Sequence, residues 1–112
     1  MPRYHIRLPD PALARGPEPS LSFTANGAEA FAEQLQQALA STGLFERWRA
    51  AQPEPDEVDP ALGATDPEAR VSGAQQDLHV DLVAETRIPG DVLRHRLRLL
   101  AGSHWELRDV RF

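Results

Sequence analysis

The positions of the prolines limit where regular secondary structure can form in this chain. Five of the ten prolines lie in residues 1–19, four lie in residues 53–67, and the last is Pro89. Proline lacks a backbone N–H and disrupts the interior of helices and strands. Apart from a short strand near the N-terminus, regular elements are therefore expected in the three proline-free stretches, residues 20–52, 68–88 and 90–112.

Two proline-rich segments are expected to be loops within a single domain that spans residues 1–112, because 112 residues is the length of one domain. Residues 9–19 form the first loop. Residues 53–68 form the second, which carries six carboxylates and no basic residue. A segment this acidic and this poor in large apolar side chains is expected to be mobile.

Helical periodicity appears in two of the proline-free stretches. Asn26 is a candidate N-cap, and Gly43 is placed to end the helix that follows it. Pro89 can open another helix, which Gly102 would end. The composition of residues 44–52 favours a further short helix over a strand. The apolar stripes predict one shared core, formed by Phe31, Leu35, Leu39, Leu93, Leu97 and Leu100 with Val80 and Leu82.

Alternation of apolar and polar residues predicts the strands. Tyr4, Ile6 and Leu8 mark the first strand, and residues 21–25 are a candidate for a second. Residues 71–86 are expected to form a strand with Leu78, Val80 and Leu82 on one face, or a hairpin broken by Gly73 with Gln75 and Gln76. Residues 104–112 have strand composition. A β-bulge near residues 108–109 would turn four apolar side chains inward, namely Trp105, Leu107, Val110 and Phe112.

This order of elements predicts an α+β fold. It is the pattern of a ferredoxin-like (split β-α-β) sandwich, with an antiparallel sheet and two helices on one face. The other face of the sheet would be left open, and we expect it to carry His5, Arg7, His79 and Asp81. Because this fold hosts many unrelated activities, it predicts no function.

Composition excludes several classes of protein. Without cysteine there is no disulfide framework, thiolate zinc site or cysteine nucleophile. No apolar run approaches the roughly 18 residues of a membrane span, and the N-terminal residues lack the apolar region of a signal peptide. We therefore expect a cytoplasmic protein with no membrane partner. Abundant Ala, Gly and Pro, with Arg as the only basic residue besides His, are typical of a bacterium with a GC-rich genome.

Charge is unevenly distributed along the chain. Residues 87–112 hold six arginines and three acidic residues, whereas the rest of the chain is strongly acidic. Arg94 and Arg98 are four residues apart on one helix face, with Arg87 nearby, and guanidinium groups favour phosphates and carboxylates. Alternatively, these arginines pair with the acidic loop of the same chain. The net charge of −5 and the low aromatic content disfavour nucleic acid as a partner.

His79 and Asp81 are two residues apart in a predicted strand, so both lie on one face. A metal site or a general base held by a carboxylate would have this arrangement, and so would an exposed polar strand face. The spacing matches no known metal-ligand signature, and the chain contains no established catalytic motif. We therefore expect no metal site and no cofactor.

Trp48 is a further candidate, because Arg47 and Arg49 flank it. An exposed Trp between arginines is typical of an interface hot spot, whereas a place in the core is the more ordinary role.

From these observations we predict a non-catalytic module that binds another protein or a second copy of itself. One candidate surface is the open sheet face, and the other is the helix face that carries Arg94 and Arg98. Two alternatives remain. The first is a small-molecule or enzymatic pocket near His79 and Asp81, and the second is an anion or nucleic-acid site formed by Arg87, Arg94 and Arg98.

Overall fold

A computed structural model describes all residues 1–112 as a four-stranded antiparallel sheet with three α-helices. The sheet has the strand order β2-β3-β1-β4. The mixed helix and strand architecture predicted from the sequence is confirmed. In chain order, the elements are β1 (Arg3–Leu8), α1 (Ala28–Ala40), α2 (Gly43–Ala50), β2 (Arg70–Gln76), β3 (His79–Glu85), α3 (Gly90–Ala101) and β4 (Glu106–Arg111).

One face of the sheet is buried and the other is open. Alternate residues of β1 and β3 are buried, and they belong to one cluster with the apolar stripes of α1 and α3. His5, Arg7, His79 and Asp81 occupy the alternate positions, which face away from this cluster. The eight residues predicted for the core are all buried in that cluster: Phe31, Leu35, Leu39, Val80, Leu82, Leu93, Leu97 and Leu100.

Strand β4 contains the predicted β-bulge. Its register against β1 shifts between His5 and Ile6, which leaves Arg108 as the extra residue. Leu107 and Val110 therefore both pack against the core. The inward prediction is wrong for Phe112, whose side chain is 98% exposed, because the pairing with β1 ends at Arg111.

The boundaries of α1 differ from those expected. Gly27, not Asn26, is the N-cap, and it provides no side-chain hydrogen bond. The helix ends at Ala40, and Gly43 is the first residue of α2 instead of a left-handed terminator, because the chain turns directly into the next helix. The short helix expected over residues 44–52 is confirmed, and Gly102 ends α3 with φ of 64°. None of the three helices combines the length and the apolar character needed to cross a bilayer.

One strand prediction is wrong and another is correct in part. Residues 21–25 form no strand, because the Phe23 N–H donates to the Leu100 carbonyl at 2.8 Å and this segment packs on the end of α3. The predicted hairpin is present as β2 and β3, but its turn lies at residues 77–78 rather than at Gly73 with Gln75 and Gln76, and Leu78 is 87% exposed there. Gly73 instead lies against α1, where an added Cβ would be 2.3 Å from the Ala28 carbonyl oxygen.

Residues 53–68 contain two short 3₁₀ helices, Pro55–Glu57 and Pro60–Gly63. The second half of the segment is tied to the helices. The Asp66 N–H donates to the Leu39 carbonyl at 2.8 Å, and the guanidinium of Arg96 donates to the carbonyls of Leu62 and Ala64. These contacts hold residues 62–66 against the helices. The mobility predicted for the whole segment, residues 53–68, stays a prediction.

Candidate binding surface

Helix α3 presents its arginines in two opposite directions. Arg94 and Arg98 are exposed, whereas the residue between them, Arg96, is 1% exposed. Residues two positions apart on an α-helix point to roughly opposite sides, because each residue turns the helix by about 100°. Arg96 therefore points into the molecule, while Arg94 and Arg98 lie one turn apart on the surface.

The two exposed arginines of α3 have no carboxylate partner. Asp91 lies one turn before Arg94 but forms no ion pair with it. Of the three arginines considered for pairing with the acidic segment, residues 53–68, only Arg87 does so, with 3.3 Å between its guanidinium and the Glu68 carboxylate. The remaining ion pairs involve other arginines. Across the chain, six of the twelve arginines pair with a carboxylate, namely Arg3, Arg7, Arg49, Arg87, Arg108 and Arg111.

Arg94 and Arg98 each line a groove between α3 and neighbouring segments. The first groove, about 510 Å³ in volume, is formed by Arg98 with Trp105 and residues of the turns at 17 and 102–103. The indole N–H of Trp105 donates to the Gly102 carbonyl at 2.9 Å, which fixes the ring in this position. Apolar surface therefore lies beside an unpaired guanidinium.

A second groove, of about 430 Å³, lies between the start of α3 and β4 and includes Arg94 and Arg87. Its floor is held by Tyr4, whose hydroxyl donates to the Ile88 carbonyl at 3.0 Å. Burial raises the pKa of Tyr4, so the hydroxyl stays a neutral donor at pH 7. Apolar side chains from the N-terminus, from the connection between β3 and α3, and from β4 and the C-terminus complete the lining: Pro2, Ile88, Leu107, Val110 and the exposed Phe112.

We call these two grooves and the arginines between them the α3–β4 surface, defined by Arg94, Arg98, Trp105, Val110 and Phe112. Arg87 and Arg94 are thus brought to one groove and Arg98 to its neighbour, so all three sequence-predicted arginines lie along one side of the molecule. Strand β4 is an edge strand of the sheet, since only β1 pairs with it. The surface combines cationic, aromatic and aliphatic groups, which is the composition of protein-binding sites.

His79 and Asp81 lie together on the open sheet face, as expected. Nε2 of His79 is 3.4 Å from the Asp81 carboxylate, which also accepts a hydrogen bond from Arg7 Nε at 3.0 Å. Burial, the largest single influence, raises the pKa of Asp81, but Arg7 and His79 together hold it below its ordinary value. The carboxylate is therefore a fixed anion rather than an acid that exchanges protons near pH 7.

His79 and Asp81 lie outside the main grooves of the surface. No group of three or more His, Cys, Asp or Glu side chains is close enough to hold a metal ion. Asp81 belongs to one of several ion pairs on the open face, Arg7–Asp81, Arg3–Glu85 and Arg111–Asp109.

Trp48 lies apart from the α3–β4 surface. Its ring is partly buried and packs edge-on against His95, with 4.4 Å between the ring centroids, and against Phe45 at 6.0 Å. Trp48 therefore joins α2 to α3. This packing accounts for its position without a binding partner.

Sequence reasoning missed two features of this region. Trp105 packs against the core as predicted but also lines a groove, whereas Phe112, which was assigned to the core, is exposed. Arg96 was counted with the surface charge, although it lies four residues from both Val92 and Leu100 in the buried stripe of α3. A charged residue inside an apolar stripe is the signal that could have identified it.

Comparison of the chain with protein-family models, with curated protein sequences and with solved structures finds no significant match.

Proposed function

We propose that this chain is a non-catalytic binding module with a ferredoxin-like fold, and that its α3–β4 surface holds a carboxylate-bearing partner protein. The fold assignment is supported by the chain order of the elements and by the strand order, which read from β4 is β4-β1-β3-β2. Helix α2 is an addition to the usual pattern of two helices. Since this fold sets no activity, the function rests on the surface alone.

The observation that carries the proposal is that Arg94 and Arg98 lack carboxylate partners. Four of the eight exposed arginines pair with an acid, and of the four that do not, Arg94 and Arg98 are the two that lie one turn apart on the same helix. Guanidinium binds carboxylates in a bidentate geometry, and complementary charge speeds association and sets its orientation.

The apolar surface beside the arginines indicates a protein partner rather than a free anion. Trp105 and Phe112 lie in the grooves on either side of the two arginines. Aromatic side chains and Arg are the residue types that contribute most to protein interfaces. A small anion would use the charges alone, whereas a peptide or protein surface can also cover the rings. The partner should therefore present two or more carboxylates with apolar side chains between them.

Binding of a synthetic acidic peptide tests the proposal. We would measure fluorescence anisotropy with a labelled peptide of repeated Glu-Asp-Leu and with its neutral counterpart, repeated Gln-Asn-Leu. The protein is expected to bind the acidic peptide at least about tenfold more tightly, and more weakly as salt is raised. Arg94→Gln with Arg98→Gln should remove this preference.

A matched control separates the site from total charge. Arg47 and Arg70 are exposed arginines without ion pairs on other elements, so Arg47→Gln with Arg70→Gln removes the same charge elsewhere. This control should keep the preference for the acidic peptide. Equal loss in both double variants, or no preference in the original protein, would contradict the proposal.

A further inference from the structure

The densest acidic region of the chain is residues 54–59, within the acidic segment of residues 53–68. The guanidinium of Arg96 donates to the carbonyls of Leu62 and Ala64 and so holds the middle of this segment against α3. Arg94 and Arg98 project from the other side of the helix, because they are two residues away from Arg96. No carboxylate of residues 54–59 pairs with Arg94 or Arg98 of the same molecule, and their one ion pair is to Arg49.

Five carboxylates of the acidic segment are exposed, and four of them lie within residues 54–59: Glu54, Asp56, Glu57 and Asp59. Asp56 has a fully exposed side chain, and its one cationic neighbour is Arg49 at 3.5 Å. Arg49 Nε also donates to the Pro55 carbonyl at 3.0 Å, and the Asp59 carboxylate accepts the Ala61 N–H at 2.9 Å. These bonds hold the backbone in two short turns, so less conformational entropy is lost when the carboxylates bind.

We propose that the partner of the α3–β4 surface is a second copy of this chain, which docks the carboxylates of residues 54–59 against Arg94 and Arg98. This inference rests on the proposed function and names its partner. The charges are complementary, and Pro55 and Val58 supply partly exposed apolar groups among the carboxylates. A partner that contacts both the arginines and the aromatic rings of this surface should carry carboxylates with apolar groups among them.

The contact joins two different parts of the chain, the acidic patch (residues 54–59) and the α3–β4 surface. Two copies can exchange both contacts in a closed symmetric pair, or share one contact that leaves a patch of each kind free and so extends into an open chain or a ring. Because exposed charges dominate the contact, it should weaken as the Debye length falls with added salt.

Sedimentation velocity over a range of protein concentrations tests the inference. At roughly 50 mM salt the average mass should rise above that of the monomer as concentration increases, and at roughly 500 mM salt it should return to the monomer. Arg94→Gln with Arg98→Gln removes one side of the contact, and Glu54→Gln, Asp56→Asn with Glu57→Gln removes the other. Each variant alone should remain a monomer.

Mixing the two variants gives the decisive result. One keeps the acidic patch and the other keeps the arginines, so an equal mixture should form a complex of two chains that grows no further. Glu29→Gln with Glu33→Gln, on the exposed face of α1, is the control and should assemble like the original chain. Growth in either variant alone, or a mixture that stays monomeric while the original chain assembles, would overturn the inference.

The two proposals can fail separately. A chain that is monomeric at every concentration but binds the Glu-Asp-Leu peptide through Arg94 and Arg98 would refute self-association and leave the proposed function standing. A chain that neither assembles nor binds the acidic peptide would refute both.

Discussion

Asp66 joins three parts of the chain through one buried carboxylate. It accepts hydrogen bonds from the Thr86 hydroxyl and the Arg87 N–H, both at 2.9 Å, and from the Glu68 N–H at 3.0 Å. The backbone N–H of Arg87 is the main reason that the pKa of Asp66 lies below its ordinary value, with burial opposing it. This carboxylate fixes the end of β3 against the segment that leads into β2.

Replacing Asp66 by Ala should lower the free energy of unfolding by about 1.5–3 kcal/mol, because buried donors lose a charged acceptor. Since the folded-state pKa is lowered, the contribution of Asp66 is complete above the unfolded value of 3.8 and is lost as the pH falls below it. Urea titrations at pH 7 and pH 3 measure both effects. The exposed Glu68→Gln is the control and should change stability by less than about 1 kcal/mol. A loss for Asp66→Ala as small as that of the control would contradict this role.

His95 should make the protein less stable in mild acid. Burial against Trp48, followed by the charges of Arg98 and Arg96, holds the pKa of His95 below its ordinary value of 6.5. Its Nδ1 atom is buried and has no hydrogen-bond partner. Below pH 6.5 the unfolded chain takes up a proton that the folded chain resists, so this part of the stability is complete above pH 6.5 and decreases as the pH falls towards the folded-state pKa.

Thermal unfolding between pH 5 and pH 8 tests this prediction. His95→Gln should flatten the fall in melting temperature below pH 6.5, whereas the exposed His104→Gln should leave it unchanged. An equally steep fall in His95→Gln would assign the pH dependence to other groups.

At the scale of elements, Arg96 is the link between α3, α1 and the acidic segment. It donates to the carbonyls of Ala38, Leu62 and Ala64, but no carboxylate balances its charge, and its Nε has no partner. Replacing Arg96 by an apolar residue removes an unbalanced buried charge but leaves three carbonyl acceptors without a donor, so the two effects on overall stability oppose each other. The distinctive effect of Arg96 should therefore be local, namely the anchoring of residues 59–66.

Hydrogen exchange should reveal this anchoring. In Arg96→Met, the amides of Leu62, Ala64 and Asp66 should exchange at least about tenfold faster, because the segment opens more easily when its carbonyls are released. Arg94→Met places the same side chain on the opposite side of α3 and should not change them. Unchanged protection in Arg96→Met would show that other contacts hold the segment.

Periodicity identified the elements well but placed their ends poorly. The apolar stripes of α1 and α3 and the alternation in β1 and β3 arise because each element buries one face. The spacing of apolar residues in the sequence therefore identifies these elements. Element ends depend on contacts that are distant in the chain. Gly73 resembles a turn residue, yet it is small because the Ala28 carbonyl lies above it, while Asp77 adopts the positive φ of 55° at the real turn.

For the molecule as a whole, the sequence could predict that charge is segregated but not which charges remain available. The six arginines in residues 87–112 indicated that α3 carries a cationic surface. The structure then divides these arginines by their neighbours, since Arg87 faces Glu68, Arg96 is buried, and Arg94 and Arg98 stay unpaired. The grooves beside them were not predictable, because they form where β4 and the chain ends meet α3, and only the folded topology brings those parts together.

This arrangement of charge also predicts weak binding to nucleic acid. The net charge is −5, and Arg94 and Arg98 are the only two neighbouring exposed arginines on α3 without ion pairs. Neutralising about two phosphates gives a slope of roughly −2 for log K against log salt, and a dissociation constant of roughly 10⁻⁴ M or weaker at physiological salt. An acidic partner avoids the repulsion between the polyanion and the acidic surface of this chain.

Titration of labelled duplex DNA at salt concentrations from roughly 50 to 200 mM measures both quantities. The Arg94→Gln with Arg98→Gln variant should reduce the slope towards zero, and the Arg47→Gln with Arg70→Gln control should leave it unchanged. A dissociation constant near 10⁻⁷ M, or a slope of about −6, would mean that many more arginines contact phosphate than the unpaired ones. The ion pairs of the open sheet face would then have to open on binding, and nucleic acid would replace an acidic protein as the partner.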